Sequence, residues 1–291
     1  MLAIESFGRK IPSRGASGGI LTSGPPVAIP TGTMAHESKA IFRPLADLQL
    51  CVATLTRIPL RHGSVGAPQT LAQAAWAFPL VGLVVGLVGG AIYAAASSVG
   101  LSLWVAATLA VGAEILTTGG FHEDGLADVA DGFGGGRDRD AKLAIMRDSR
   151  VGAFGVLALA LAIALRVGAL VALARPAAVL SALVAAGALS RAAIVWAMVL
   201  AGPARHDGLG AAAGRAEPAV AVVATVLAGV AMALITGVAG MFVAGAVGIG
   251  AGLAVLWLAV RQIGGTTGDV YGAIQQAAEI AALLALSRVL G

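Results

Sequence analysis

Along most of this chain the apolar residues do not alternate with polar ones. They run on for about 20 residues at a time, the length an α-helix needs to cross ~30 Å of hydrocarbon. Such runs recur near residues 75–97, 101–118, 152–174, 177–200, 218–236, 240–260 and 272–290, which predicts about seven spans. The stretch from Pro218 to Val260 is wholly uncharged and about twice the length of one span. Gly237 and Gly240 stand where a tight reversal would fall, so two spans fit it better than one. Leu45 to Leu60, carrying Asp47, Arg57 and Pro59, is too short and too polar to cross unaided and reads as an interfacial or re-entrant helix. The expected fold is all-α: a polytopic transmembrane helical bundle in which residues 41–291 form one membrane-embedded catalytic domain.

Composition agrees with this pattern. The chain is 58% apolar and 12% charged, and so lacks the polar surface that a dispersed soluble domain of 291 residues requires. A single Cys, Cys51, excludes an intramolecular disulfide framework and a Cys-rich metal site. Fifteen of the 19 Lys and Arg fall before the first span or in alternate loops on the same side, which places the large loops in the cytosol. Residues 1–40, rich in Gly, Ser, Pro and Thr, have little to bury and no signal-peptide core, so they read as a disordered extension. Gly82 with Gly86 and Gly248 with Gly252 have the spacing that lets membrane helices approach closely, and point to bundle packing rather than to function.

The chemistry concentrates in HEDGLADVADGFGGG, His122 to Gly136. Asp124, Asp128 and Asp131 stand at i, i+4 and i+7, which on a helix puts three carboxylates on one face. Like charges so close repel, and Mg2+, an oxygen-seeking ion often shared between carboxylates and substrate phosphates, is the usual compensation. A basic run follows, in which Arg137, Arg147 and Arg150, with Ser149, are placed to hold phosphate oxygens. Acids for a metal beside arginines for phosphate suggest phosphoryl transfer. A second loop, GGTTGDVYGA, brings Thr267 and Asp269 to the same face, with Asp269 alternatively an N-cap. Within spans, Glu114, Arg191 and Glu279 each lie about 15 Å in from that face and predict a buried ionic cluster.

At these residues the chain resembles the cobalamin synthase family, the adenosylcobinamide-GDP ribazoletransferases. The family pattern HxDGLADxxDG is matched at His122, Asp124, Gly125, Leu126, Ala127, Asp128, Asp131 and Gly132. IMxDSRxGxFG is matched at Ile145, Met146, Asp148, Ser149, Arg150, Gly152, Phe154 and Gly155, and GGxTGDxxGA with a following glutamate at Gly264, Gly265, Thr267, Gly268, Asp269, Gly272, Ala273 and Glu279. The resemblance extends to TRIPL from Thr56 and PLVGLVVG from Pro79, and covers nearly everything after about residue 45. One departure stands at Gln275 and Gln276, where relatives often carry an acid.

What the resemblance implies is a Mg2+-dependent enzyme of the cytoplasmic membrane that transfers the cobinamide phosphate of adenosylcobinamide-GDP to α-ribazole or its 5'-phosphate and releases GMP. On that reading Asp124, Asp128 and Asp131 hold the metal, Arg147 and Arg150 grip phosphate, and Asp148 or Asp131 takes the proton from a ribazole hydroxyl. The partners are those two small molecules and the lipid bilayer, with no nucleic acid; a homo-oligomer is compatible with it. Two other classes have weaker support. A CDP-alcohol phosphotransferase continues its motif with Ala-Arg, whereas Ala127 here is followed by Asp128. A secondary transporter would place its polar groups near mid-membrane and show an internal repeat.

The tidier pattern that begins at Met34 predicts that a truncated chain starting there keeps full activity in membranes. Loss of activity in that truncation would show that the first 33 residues belong to the working protein.

Overall fold

The computed structural model describes residues 43–59 and 70–291. The expectations for residues 1–40 and for Met34 lie outside the described residues. Those described are almost wholly helical: α1 (Pro44–Leu55), α2 (Leu71–Ala74) leading through a 3-10 turn into α3 (Phe78–Ser98), α4 (Leu103–Thr118), α5 (Phe121–Gly135), α6 (Arg139–Ile145), α7 (Ala153–Leu173), α8 (Pro176–Leu200), α9 (Gly208–Ala213), α10 (Pro218–Ile263) and α11 (Gly268–Val289). Among the described residues the only extended pairing is an isolated bridge between Pro203 and Thr266.

Helix starts follow local chemistry. Proline occupies the first turn of α3, α8 and α10, where its missing N–H costs nothing. The Ser102 hydroxyl accepts from Val105 N to cap α4, and Asp138 accepts from Ala141 N to cap α6. Five helices are long and apolar enough to cross a bilayer, or six if the bent pair α4 and α5 is taken as one. The bend between that pair is 91° and falls on Gly119 and Gly120, whose φ of 72° and 71° are left-handed values that cost glycine least. The sequence expectation was about seven spans, and this criterion takes the 46-residue α10 as one element.

In fact α10 doubles back. Gly237 has φ 76° and ψ 167° and interrupts the helix. A Cβ added at Gly229 would come within 3.9 Å of the Met241 sulfur, although residues twelve apart on a straight helix are separated by about 18 Å. Both ends of α10 therefore meet the end of α8: Ala216 N donates to Met198 O, and beyond α10 Thr266 N donates to Gly202 O.

Small residues set the closest approaches. A Cβ at Gly82 would collide with the Gly187 carbonyl, and one at Gly86 with Leu183 backbone, so α3 and α8 touch main chain to main chain. Gly248 and Gly252 bring the second half of α10 against Ala278 and Ile274 of α11.

Where five helices converge, charge is buried. Arg166 of α7 reaches Glu114 of α4 at 2.7 Å, Glu123 of α5 at 2.9 Å and Glu279 of α11 at 2.9 Å. Arg191 of α8 pairs with Glu279 at 2.7 Å. All five side chains are nearly inaccessible, with Arg166 at 2%. The expected group of Glu114, Arg191 and Glu279 is thus real, but its centre is Arg166, which pattern reading placed in a span without a role. The amides at Gln275 and Gln276 belong to it: Gln276 Nε2 donates to Glu123 Oε1 at 3.0 Å, and Gln275 Nε2 donates to Glu279 Oε2 and, at 3.1 Å, to Ser190 Oγ.

Two stability experiments follow. Arg166→Met leaves three carboxylates sharing one remaining guanidinium and should lower stability by about 3–5 kcal/mol, read as a large fall in the thermal midpoint in detergent, with Arg166→Lys in between. Gly82→Ala should cost about 1–3 kcal/mol in the same assay, whereas Gly112→Ala, where an added Cβ meets nothing within 4 Å, should leave the midpoint unchanged.

Candidate active site

The Gly119–Gly120 bend launches α5 sideways, and its helical period sorts its side chains. Glu123 points into the buried ionic group, while Asp124 is exposed and Asp128 half-buried on another face. Helix α11 crosses α5 at glycines: a Cβ on Gly125 would lie 2.6 Å from Asp269 O, and one on Gly272 would lie 3.0 Å from His122 O. This contact carries Asp269 to the aspartates of α5. Asp128 is within electrostatic reach of Asp269, Asp124 and Asp131, and Arg205 opposes them.

Arg205 comes from the loop after α8. It holds Asp269 Oδ2 at 3.5 Å through Nη2 and lies 3.8 Å from Asp207, and its Nη1 has no hydrogen-bond partner among the described residues. Arg147 pairs with Asp207 at 2.7 Å, which keeps that carboxyl below its ordinary range. Arg139 donates from Nε to Ile263 O at 3.0 Å and from Nη2 to Ala204 O, tying α6 to the end of α10 and to the loop before α9. Arg139, Arg147, Arg205, His206 and Asp207 line an open, polar cleft of about 1140 Å3.

Several expected site residues have other work. Asp131 is buried and accepts from Gly152 N at 2.7 Å and Gly155 N at 2.8 Å, so it caps α7 from a neighbouring helix. It does not join Asp124 and Asp128 in a free three-carboxylate face, and both its oxygens are engaged, which removes it as a base. Thr267 is the N-cap of α11: its hydroxyl accepts from Val270 N, donates to Asp269 Oδ2 at 3.1 Å, and is 1% exposed, out of reach of a phosphate. Asp269 is therefore not the cap and keeps Oδ1 clear of hydrogen bonds among the described residues.

Asp148 is clamped by Arg150, with Nη2 to Oδ2 at 2.6 Å, and this hydrogen bonding pulls its pKa down to about 2. So acidic a carboxyl is a poor proton acceptor at neutral pH. Arg150, Arg137 and Ser149 are exposed near the cleft but do not line it, so of the arginines expected to grip phosphate only Arg147 does. Gly134 and Gly136 allow close packing: a Cβ there would meet the Phe154 ring at 2.7 Å and Lys142 Cγ at 2.5 Å. Arg205 and Asp207 were missed by pattern reading because isolated charges in short loops have no period, and Arg139, at the start of α6, because nothing in the basic run sets it apart from its neighbours.

Among the described residues no three His, Cys, Asp or Glu side chains are arranged as a preformed metal cage. Asp124 and Asp128 could supply the one or two carboxylates with which Mg2+ is commonly held when substrate phosphates complete its shell.

The model of the cobalamin-5-phosphate synthase family matches residues 47–287. A protein of Mesorhizobium japonicum named adenosylcobinamide-GDP ribazoletransferase is 46% identical over 84% of this chain and 93% of its own length. Proteins of the same name from Bradyrhizobium diazoefficiens and Azorhizobium caulinodans are 44% and 45% identical, over 86% and 83% of this chain and 96% and 95% of theirs. No solved structure matches. With both catalytic-face segments and the buried ionic group inside the matched range, the chain belongs to the cobalamin-5-phosphate synthase family.

Proposed function

We propose that this chain transfers the cobinamide phosphate of adenosylcobinamide-GDP to α-ribazole or its 5'-phosphate, releasing GMP, from the cytosolic face of the inner membrane. The observation that carries the reading is the meeting of Asp124, Asp128 and Asp269 around Arg205, beside a cleft walled by arginines. Guanidinium groups on the wall suit a diphosphate, and the carboxylates suit its counter-ion. The relatives' shared name supplies the two substrates. Cytosolic orientation is inferred from the sequence, where 15 of the 19 Lys and Arg fall before the first span or in alternate loops on one side.

Asp124 and Asp128 would hold Mg2+ together with the diphosphate; when bound, the ion neutralises charge on the phosphoryl oxygens and on the departing GMP. Arg205, which lines the cleft beside Asp269, holds the transferred phosphate, and Arg147 and Arg139 line the path of the nucleotide. Asp269 takes the proton of the attacking ribazole hydroxyl at Oδ1, while Thr267 and Arg205 fix Oδ2. A phosphorus–oxygen bond to ribazole forms as the one to GMP breaks. Asp131 acts indirectly, by fixing the start of α7 against α5.

The test is purified protein in detergent with adenosylcobinamide-GDP, α-ribazole and Mg2+, following GMP and the cobalamin product. Wild type should turn over, and Asp124→Asn and Asp128→Asn should each lose about 10^2-fold or more in kcat. Asp148→Asn should stay within about threefold of wild type, because a carboxyl with a pKa of about 2 is too weak a base to take the hydroxyl proton. Absence of product with wild type rules out the activity; product undiminished in both asparagine variants rules out the metal role.

A further inference from the structure

Opposite the carboxylate face of α5 lies a second hollow that the transfer chemistry does not use. It measures about 470 Å3 including its mouth, and its walls are apolar or aromatic, among them Phe78, Phe121, Ile194 and Tyr271. One polar side chain stands out on that lining. His122 is 1% exposed, and its Nε2 has no hydrogen-bond partner among the described residues. Phe121 meets the imidazole edge to face, with ring centroids 5.4 Å apart, which fixes the ring without satisfying that nitrogen. The Tyr271 hydroxyl, by contrast, is already engaged with Thr266 at 3.1 Å.

A buried nitrogen without a partner costs stability unless something bonds to it. The chemistry that suits this lining is a flat, largely apolar ring system with one hydrogen-bonding nitrogen. Position narrows it further. Gly268 lines the hollow, and its neighbour Asp269 belongs to the carboxylate group, so one turn of α11 separates the two.

We propose that this hollow is the acceptor subsite: it seats the aromatic azole base of the ribazole, with His122 Nε2 bonding to the ring nitrogen that is not joined to the sugar. The ribose then lies across the first turn of α11 and presents a hydroxyl to Asp269. The arginine-lined cleft, on the other side of Asp269, is left to the phosphate donor, so the two substrates approach the carboxylates from opposite sides. This assignment rests on the transferase reading above and adds to it the place and the recognition chemistry of the acceptor.

The experiment measures GMP release by the full-length protein in detergent while each substrate is varied in turn, for wild type, His122→Leu, His122→Gln and Ala213→Leu. Ala213 lines the hollow from α9, so A213L narrows it from a helix other than the one that carries the imidazole. H122L should raise the KM for α-ribazole about tenfold, the loss expected for one buried hydrogen bond, and H122Q should recover part of it. A213L should raise the same KM by a similar factor, and the KM for adenosylcobinamide-GDP should move by less than about twofold in every variant. Direct titration of α-ribazole without donor, followed by the fluorescence of its base, should show the same order of affinities.

If H122L does not fold, H122Q and A213L still decide. An unchanged acceptor KM in A213L and in the folded His122 variants, with wild type active, overturns the subsite alone. A rise in the donor KM instead also overturns it and gives the hollow to the other substrate. A wild type that releases no GMP overturns the transferase reading and the subsite with it.

Discussion

Three glutamates and two arginines share a volume from which water is excluded, and the positions of the helices depend on keeping them paired. An isolated charge there would cost several kcal/mol, so each helix that carries one is held at the depth and rotation that bring it to a partner. Arg166 alone joins α7 to α4, α5 and α11, and Arg191 adds α8 through Glu279. Apolar packing between membrane helices is weakly directional because lipid is as apolar as leucine. The directional part of this bundle is electrostatic.

That constraint is also what builds the site. Glu123, drawn inward to Arg166, is adjacent in sequence to Asp124, which helical geometry then turns outward. Glu279 fixes the far part of α11, whose first turn carries Asp269 to α5, where Gly125 and Gly272 allow main chain to lie on main chain. Asp131 finishes the arrangement by capping α7. The carboxylates that gather beside the cleft are therefore those left over once the buried ones and the cap have been satisfied, and Arg205, placed among them, retains a nitrogen without a hydrogen bond among the described residues.

Much of the architecture was legible because its cause is local. A run of apolar residues about 20 long has one use in a bilayer, and the reversal near Gly237 shows as surplus length plus glycine. The helix pairs at Gly82–Gly86 and Gly248–Gly252 follow from the absence of side chains. Site residues were legible by type and by face, but less so by role. Asp124, Asp128 and Asp131 have equivalent spacing, yet the third meets two N–H groups of residues 21 and 24 positions away. Thr267 took the capping role that had been open to Asp269, since which of two nearby residues caps a helix depends on backbone angles at its first turn.

By itself, then, the sequence determined that this is a membrane helical bundle with its acids and arginines crowded at one end, because hydrophobic length, glycine placement and charge are properties of contiguous residues. Only the tertiary structure decided which charges are partners. Arg166 meets Glu114 across 52 positions and Glu123 across 43, and Gln276 meets Glu123 across 153. Pairings over such distances depend on the rotation and depth of whole helices, which no local pattern specifies. For the same reason the hollow beside His122, walled by several separate helices, has no signature along the chain.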